Sequence, residues 1–310
     1  MTVADSAISS GIDLRGSARR RRRESTVRGI LFAAALSSVA VSGFIIYTVA
    51  IEAFEFLRQI DLGWLVGIGW FPRRDMFDVL TLVLGTLMVT GIAMLIATPI
   101  GLGSAIYLSE YASPRSRRII KPILEILAGI PSVVLGFFAL AVINPGFVQG
   151  IFPEAPAFTI LAAGIAVGIL SIPLVASVAE DAMRAVPSAL REASYGLGAR
   201  RLTTSIRVVF PAAISGIVAA LILAASRAIG ETMVVALAAG ATGGGVRSID
   251  PVAPGQTMTA AMAALATGSD NLVGDYAFQS LFFVGALLFV ITLTLNVIGE
   301  GFVRRTRQRY

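Results

Sequence analysis

Two residues of opposite charge interrupt an apolar stretch, and their side chains are the best suited to chemistry in this sequence. Arg227 and Glu231 are four positions apart, so on a helix they lie one turn apart on one face. An arginine guanidinium donates paired hydrogen bonds to two oxygens of an oxyanion. We therefore predict a cationic element in an anion path, with Glu231 holding the guanidinium and the hydroxyls of Thr232 and Ser226 as candidate contacts. The alternatives are a self-neutralising pair that locks helices together, and hydroxyls that bond their own backbone.

Other chemistries are excluded by residue types that the sequence lacks. The 310 residues include neither His nor Cys, which excludes disulfides, zinc fingers, haem ligation by His and catalysis by Cys or His. The single lysine, Lys121, follows Ile120 and not the glycine of a G-x-x-x-x-G-K-[ST] phosphate loop. We therefore predict no metal site, no cofactor and no ATPase site on this chain. A membrane enzyme is disfavoured as well, because no third titratable group accompanies the Arg227–Glu231 pair.

The composition places these residues in a membrane protein. Hydrophobic residues make up 56% of the chain and charged residues only 14%, against about 25% charged in soluble proteins. Several charge-free runs reach the roughly 20 residues needed to cross a hydrocarbon core of about 30 Å. We predict an all-α permease-like bundle of six transmembrane helices, approximately at 29–51, 79–107, 120–143, 157–179, 210–239 and 276–302. This transmembrane domain, 29–303, lies between an arginine-rich tail at 1–28 and a short tail at 304–310.

The distribution of the 25 basic residues predicts the orientation. Most of them precede helix 1, lie between helices 2 and 3 or between helices 4 and 5, or follow helix 6. The positive-inside rule then places both termini in the cytoplasm. For Arg19–Arg23 the alternative is a basic arm for nucleic acid, which we consider much weaker than a topology signal. The first apolar run also exceeds the roughly 7–15 residues of a secretory signal core, so a retained helix is preferred over a cleaved signal.

The longest predicted outer segment, 240–275, contains a short apolar stretch. It is rich in glycine at Gly243–Gly245 and carries Pro251 and Pro254. The stretch Thr257–Thr267 is much shorter than the roughly 20 residues of a span. We therefore predict a re-entrant or interfacial helix there.

The predicted cytoplasmic loop at 180–211 is too long for a simple connector. Its apolar residues recur at steps of three and four, which is typical of helix. Pro187 and the glycines at 196 and 198 divide it into two short helices with a turn. We expect Arg191 and Glu192 to point outward beside small residues, where a partner can pack. The alternative is an amphipathic helix that lies on the membrane surface.

This loop resembles the EAA motif of ABC importer permeases. The resemblance lies in Glu192-Ala193-Ser194-x-x-x-Gly198 and, after nine residues, Val208-x-Phe210-Pro211. The family pattern has Ala, Ile and Leu where this sequence has Ser194, Val208 and Phe210, but the spacing is intact. The resemblance implies that the loop docks on a separate ATPase subunit and transmits ATP-driven motion through Glu192, Ala193, Ser194, Gly198 and Pro211.

Further stretches between residues 77 and 300 are similar to the permeases of phosphate ABC importers, and specifically to their C-type subunit. They are Ile106–Tyr111, Gly129–Gly136, Arg227–Met233, Gln256–Ala260 and Leu293–Asn296. The resemblance implies a second related permease, two ATP-binding subunits and an extracytoplasmic phosphate-binding protein as partners, with phosphate as substrate. It also implies a multi-pass location in the cell membrane, among lipid, and no nucleic-acid partner.

Two rival functions stay open on the sequence. The first keeps the class and changes the substrate to sulfate, molybdate or another oxyanion. The second is an ATP-independent channel or secondary transporter, which predicts transport by this chain alone.

Overall fold

The computed structural model describes residues 18–240, 245–267 and 276–306. These residues are almost entirely helical, which confirms the predicted all-α class apart from three very short strands. Part of the predicted N-terminal tail, residues 1–17, lies outside the described residues. The same is true of Gly243, Gly244 and the C-terminal residues 307–310.

Within the described residues we number eleven helices in chain order. They are α1 (Ala18–Gln59), α2 (Val79–Ile106), α3 (Pro114–Ala128), α4 (Ser132–Phe138), α5 (Ile160–Arg184), α6 (Ser188–Gly196), α7 (Arg201–Thr204), α8 (Ile214–Ile229), α9 (Met233–Val235), α10 (Met258–Ala266) and α11 (Tyr276–Thr306). Wider π-helical turns extend α2 over Tyr107–Tyr111, α4 over Ala139–Val148, α7 over Ser205–Val209 and α9 over Ala236–Gly240. Single α-helical turns follow at Gln149–Ile151 and Phe210–Ala212, and 3₁₀ turns lie at Leu62–Leu65 and Pro72–Arg74.

The described chain divides into two units, residues 18–49 and the remainder from Ala50 onward. The first unit is the N-terminal part of α1. From Arg23 to Tyr47 its side chains are exposed, although the run from Gly29 onward is apolar. A helix with an apolar surface all round is typical of a membrane span.

In the second unit, α2 and α5 form the centre and pack extensively against each other. Small residues allow this close approach, as is common between membrane helices. A Cβ atom on Gly164 of α5 would lie 2.7 Å from the Cβ of Ile92, and one on Gly101 of α2 would lie 2.7 Å from the Cβ of Val175. Helix α8 packs on α5, α11 and α2, while α3 packs on α5.

Five helical stretches are long and apolar enough to cross a membrane, within the residues that the structure describes. They are Arg23–Gln59, Val79–Tyr111, Ser132–Ile151, Ile160–Arg184 and Tyr276–Arg305. The predicted count of six is reached if the bent pair Arg201–Ala212 and Ile214–Ile229 forms one span.

The third predicted helix, 120–143, is wrong as one continuous element. The structure ends α3 at Ala128 and starts α4 at Ser132. Pro131 explains the break, because it lacks an amide hydrogen and disfavours helical geometry at the residue before it. The separate α3 is amphipathic, so only the stretch Ser132–Ile151 qualifies as a span.

The fifth predicted helix, 210–239, is also divided. The chain bends by 71° between Ala212 and Ile214, and it leaves helical geometry again at Gly230–Thr232 before α9 begins. Sequence hydropathy does not show the first change because the residues around it are mostly apolar. At the second, Arg227, Glu231 and Thr232 are equally compatible with a continuous helix. Counted from Ile214, Arg227 lies about 20 Å along α8.

The two ends of the second unit differ in charge. At one end lie α3, α6, α7 and the C-terminal ends of α2 and α5, with most of the arginines, and we call it the basic end. The other end carries an antiparallel sheet of β1 (Gly69–Phe71), β2 (Met76–Phe77) and β3 (Gly245–Val246), ordered β2-β1-β3, and we call it the sheet end. Trp70 pairs with Phe77 and with Gly245 in register.

A buried ion pair fixes the sheet end to α2. Asp78 is fully buried and accepts hydrogen bonds from the guanidinium of Arg247, with Nη2 3.0 Å from Oδ2, and from the hydroxyl of Thr81. The nearby α10 matches the short helix predicted at Thr257–Thr267, and the Thr257 hydroxyl caps it by accepting from the amide of Ala260. Its predicted re-entrant position in a membrane stays a prediction.

Candidate coupling surface and polar cavity

The predicted motif loop forms two short helices, α6 and α7, with a tight turn between them. Pro187 stands directly before α6, where its fixed φ suits a helix start and its missing amide hydrogen costs nothing. The helix ends in a turn in which Gly198 has φ of +79°. Only glycine adopts this left-handed geometry without strain, which explains a glycine at the end of the motif.

Most of the predicted coupling residues lie on the exposed surface of this hairpin. Glu192, Ala193 and Gly198 are exposed, and Leu197 beside them is 90% exposed. Ser194 differs, because its hydroxyl lies 2.9 Å from the hydroxyl of Thr204 and joins α6 to α7. The hairpin therefore presents a carboxylate, small residues and a bare leucine side chain to its surroundings.

Pro211 lies at the base of the hairpin and not on its exposed tip. It belongs to the turn Phe210–Ala212, directly before the 71° bend into α8. Proline and π-helical turns are both common causes of sharp helix kinks, and both occur here. This residue therefore marks the point where the loop meets the transmembrane helix.

Arg191 does not point outward as the sequence predicts. Its Nη2 lies 2.9 Å from Oε1 of Glu110, in the π-helical end of α2, and it also donates to the backbone carbonyls of Met183 in the last turn of α5 and of Val186 beyond it. Paired, directional bonds of this kind favour the inward position over exposure to water. Of the two neighbours predicted to point outward, only Glu192 does so.

The pairing expected between Arg227 and Glu231 is absent among the described residues, and this prediction is wrong. Gly230 ends α8, so Glu231 lies in the break and not one helical turn beyond Arg227. The Glu231 carbonyl accepts a hydrogen bond of 2.8 Å from the hydroxyl of Thr259. Both alternatives in which the two charges act as a pair, self-neutralising or path-forming, therefore lose their geometric basis.

The two hydroxyls near Arg227 also have other partners. Thr232 donates to the backbone carbonyl of Gly230 at 3.2 Å. This agrees with the alternative in which the hydroxyl bonds its own backbone. Ser226 donates to the side-chain oxygen of Asn296 in α11 at 3.0 Å. These bonds stabilise the end of α8 and leave Arg227 as the main polar group of this region.

Arg227 lines a cavity of about 200 Å³ between α3, α5 and α8. The other polar groups in its wall are Lys121, Glu125, Ser177 and Glu180, and the remainder is mainly apolar. Two cations and two carboxylates leave the wall nearly neutral, so it attracts an anion only moderately. The cavity runs from the middle of α5 to the basic end.

Glu180 is the buried charge of this cavity, and the sequence did not single it out. Its side chain is 0% exposed and forms an ion pair with Arg117; the Nζ of Lys121 lies 3.6 Å away. Together these contacts fix α3 to the end of α5. Its position among apolar residues and just before the loop arginines is the signal that could have found it.

The comparisons with known proteins establish the family. The model of the binding-protein-dependent transport system inner membrane component matches residues 97–309, which is more than half of the chain. The chain therefore belongs to this family of multi-pass membrane proteins, the permease components of ABC importers.

Relatives and solved structures agree with this assignment. The phosphate transport system permease protein PstC of Mesorhizobium japonicum is 31% identical over 296 residues, 89% of each chain. The probable ABC transporter permease protein YqgH of Bacillus subtilis is 31% identical over 249 residues, 78% of each chain. A chain of a bacterial alginate ABC transporter, solved with an alginate-bound periplasmic protein, matches with a TM-score of 0.63 at 15% identity, covering 92% of this chain and 98% of that one. That structure supports the fold alone.

Proposed function

We propose that this chain is the C-type permease subunit of a phosphate ABC importer. It moves inorganic phosphate into the cell, and a separate subunit hydrolyses the ATP that drives the movement. The observation that carries the proposal is the exposed α6–α7 hairpin, which displays Glu192, Ala193 and Gly198 at the spacing of the EAA motif.

The hairpin has the properties of a docking element for an ATPase subunit. The exposed Ala193 and Gly198 permit close backbone approach, and Leu197 supplies an apolar contact that is bare in the isolated chain. Such a patch, with a carboxylate beside it, is typical of an interaction site. The sequence has no phosphate loop, so the energy source must be supplied by that partner.

The cavity beside Arg227 is the proposed inner part of the phosphate path. The guanidinium is well suited to an oxyanion. The nearly neutral wall suits transport, because a conducting site has to release its ion. Arg227 is the proposed anion contact, and Glu231 and Thr232 lie in the backbone break that follows α8.

The remaining partners and the location follow from the same proposal. The basic end faces the cytoplasm, in agreement with the positive-inside rule, and carries two ATP-binding subunits shared with a second, related permease. The sheet end faces outward, toward an extracytoplasmic phosphate-binding protein. Phosphate as the substrate is supported by the similarity to the phosphate transport system permease protein of Mesorhizobium japonicum.

Uptake of labelled phosphate tests the proposal. A strain lacking its own C-type permease is complemented with this chain together with its partner subunits, and uptake is measured against a strain carrying the partners alone. We expect uptake that requires this chain and is unaffected by excess sulfate or molybdate. No phosphate uptake, together with uptake of labelled sulfate or molybdate that requires this chain, would assign the chain to the other oxyanion.

A further inference from the structure

One arginine in the hairpin joins three structural elements. The guanidinium of Arg191 in α6 bonds the carboxylate of Glu110 at the end of α2, with Nη2–Oε1 at 2.9 Å and Nε–Oε1 at 3.3 Å. The same guanidinium donates to the carbonyls of Val186 at 2.7 Å and Met183 at 2.8 Å. Glu110 and Arg191 are 81 positions apart in the sequence, so the contact is tertiary.

The two carbonyls belong to the C-terminal end of α5. Helix ends leave carbonyl groups without helical partners, and a cation there also interacts favourably with the helix dipole. Met183 lies in the last turn of α5, and Val186 lies two residues beyond its end at Arg184. Arg191 therefore caps α5 at the same time as it pairs with α2.

Both side chains of this contact are mostly buried. The Glu110 side chain is 4% exposed and that of Arg191 is 19% exposed. A buried charge is stable only when it is paired and hydrogen-bonded, so Glu110 depends on Arg191. The planar fork of arginine satisfies the carboxylate and two carbonyls together, which the single ammonium of lysine cannot do with the same geometry.

We propose that the Glu110–Arg191 pair is the mechanical link that carries movement of the docked hairpin into α2 and α5. The other contacts of α6 lack these directional bonds, including the packing of Leu190 against the apolar cluster around Met183 and Val209. Pro187 is a short backbone connection, and the bond from Ser194 reaches α7, within the hairpin itself. Since α2 and α5 form the centre of the bundle, a displacement of α6 reaches the transmembrane helices through this guanidinium. Arg191 is thus a positioning residue, and this inference rests on the proposed function.

The link predicts uncoupling and not loss of assembly. In the complete importer reconstituted in liposomes, ATP hydrolysis and phosphate uptake are measured in one preparation for Arg191→Gln, Arg191→Lys and Glu110→Gln. We expect Arg191→Gln and Glu110→Gln to hydrolyse ATP within about twofold of the parent while uptake falls at least about tenfold. Arg191→Lys should lie between them and the parent. The double variant should be no worse than either single one, because both remove the same contact.

The control is Arg115→Gln, which removes an exposed arginine of α3 outside this contact. It should leave the ratio of ATP hydrolysed to phosphate transported unchanged. The inference is overturned if hydrolysis and uptake fall in parallel in Arg191→Gln, or if the ratio stays at the parental value. It is also overturned if Arg191→Gln fails to assemble while Arg191→Lys matches the parent.

A distance measurement separates this inference from the proposed function. The chain has no cysteine, so spin labels at Tyr107→Cys in the end of α2 and Ala189→Cys in α6 are the sole labels on this subunit. We expect a narrow distance distribution with and without ATP in the parent, and a broad one in Arg191→Gln. Equal distributions overturn the link whatever the substrate is. Narrow parental and broad variant distributions without phosphate uptake keep the link and reject phosphate.

Discussion

At the scale of a single residue, Arg227 places a permanent charge among mainly apolar side chains. It is exposed in the isolated chain and lines the cavity between α3, α5 and α8. A charge inside a bilayer costs at least about 2.5–3.5 kcal/mol unless it faces protein or water. With no carboxylate paired to it among the described residues, its charge is available to a passing anion.

Replacement of Arg227 by glutamine should stop phosphate uptake and leave the importer assembled. Glutamine keeps hydrogen-bonding capacity and removes the charge, so the loss reports on electrostatic attraction. We expect uptake to fall at least about tenfold, about 1.4 kcal/mol or more. Uptake in whole cells and copurification of the subunits measure the two effects. Arg118→Gln, in exposed sequence outside the cavity, is the control, and parental uptake in Arg227→Gln would refute the path role.

Glu192 makes a different prediction, because it belongs to the docking surface. Its exposed carboxylate has no partner within the described residues, so a reversal of charge to lysine disturbs only an external contact. We expect Glu192→Lys to abolish phosphate-stimulated ATP hydrolysis and uptake together. Copurification of the ATPase subunit measures docking directly. Retained copurification and uptake would refute the docking role of Glu192.

At the scale of elements, the α6–α7 hairpin depends on its turn. Gly198 has φ of +79°, where a side chain costs roughly 1–2 kcal/mol. No other atom lies within 4 Å of the position where its Cβ would be, so the cost comes from the backbone and not from packing. The turn is therefore a specific requirement of the motif and not a general need for a small residue.

Gly198→Val should loosen the hairpin without altering the bundle. Amide hydrogen exchange over 188–204 should accelerate, by up to about thirtyfold for a cost of about 2 kcal/mol. Exchange in α2 and α5 should stay the same. Gly196→Ala is the matched control, since Gly196 is helical and also has open space around its Cβ position, so alanine there should be neutral or stabilising. Equal exchange in the two variants would contradict the role of the turn.

The sequence predicts elements well and their interruptions poorly. Hydropathy and charge locate the helical class, the apolar spans and the two helices of the loop, because these follow from composition and periodicity. The bend at Ala213 lies in mostly apolar sequence, where hydropathy has no contrast, and the polar residues at the break at Gly230–Thr232 are equally compatible with a continuous helix. If the break is not known, the spacing in the sequence places Arg227 and Glu231 one helical turn apart.

Tertiary contacts between charged residues also could not be predicted from the sequence. Arg191 and Glu192 are neighbours with similar surroundings in the sequence, yet one turns inward to Glu110 and the other outward. The choice depends on where α2 ends in space, which no local pattern contains. Glu180 was missed for the same reason, because its partners Arg117 and Lys121 belong to another helix.

At the scale of the whole molecule, the two ends of the second unit carry different features. The basic end carries the proposed docking hairpin and the Glu110–Arg191 pair, and the polar cavity extends toward it. The sheet end is fixed by the buried Asp78–Arg247 pair. This arrangement suits a subunit that receives force at one end and opens a path toward the other, with binding and hydrolysis supplied by partners.

The central claim is that phosphate crosses through this subunit only under the control of a separate ATPase. The most direct test is uptake of labelled phosphate into liposomes that contain either this chain alone or the complete importer. We expect no uptake above the empty-liposome background for the chain alone. The complete importer should take up phosphate only with ATP and the binding protein present. Phosphate uptake by the chain alone, without ATP, would contradict the account.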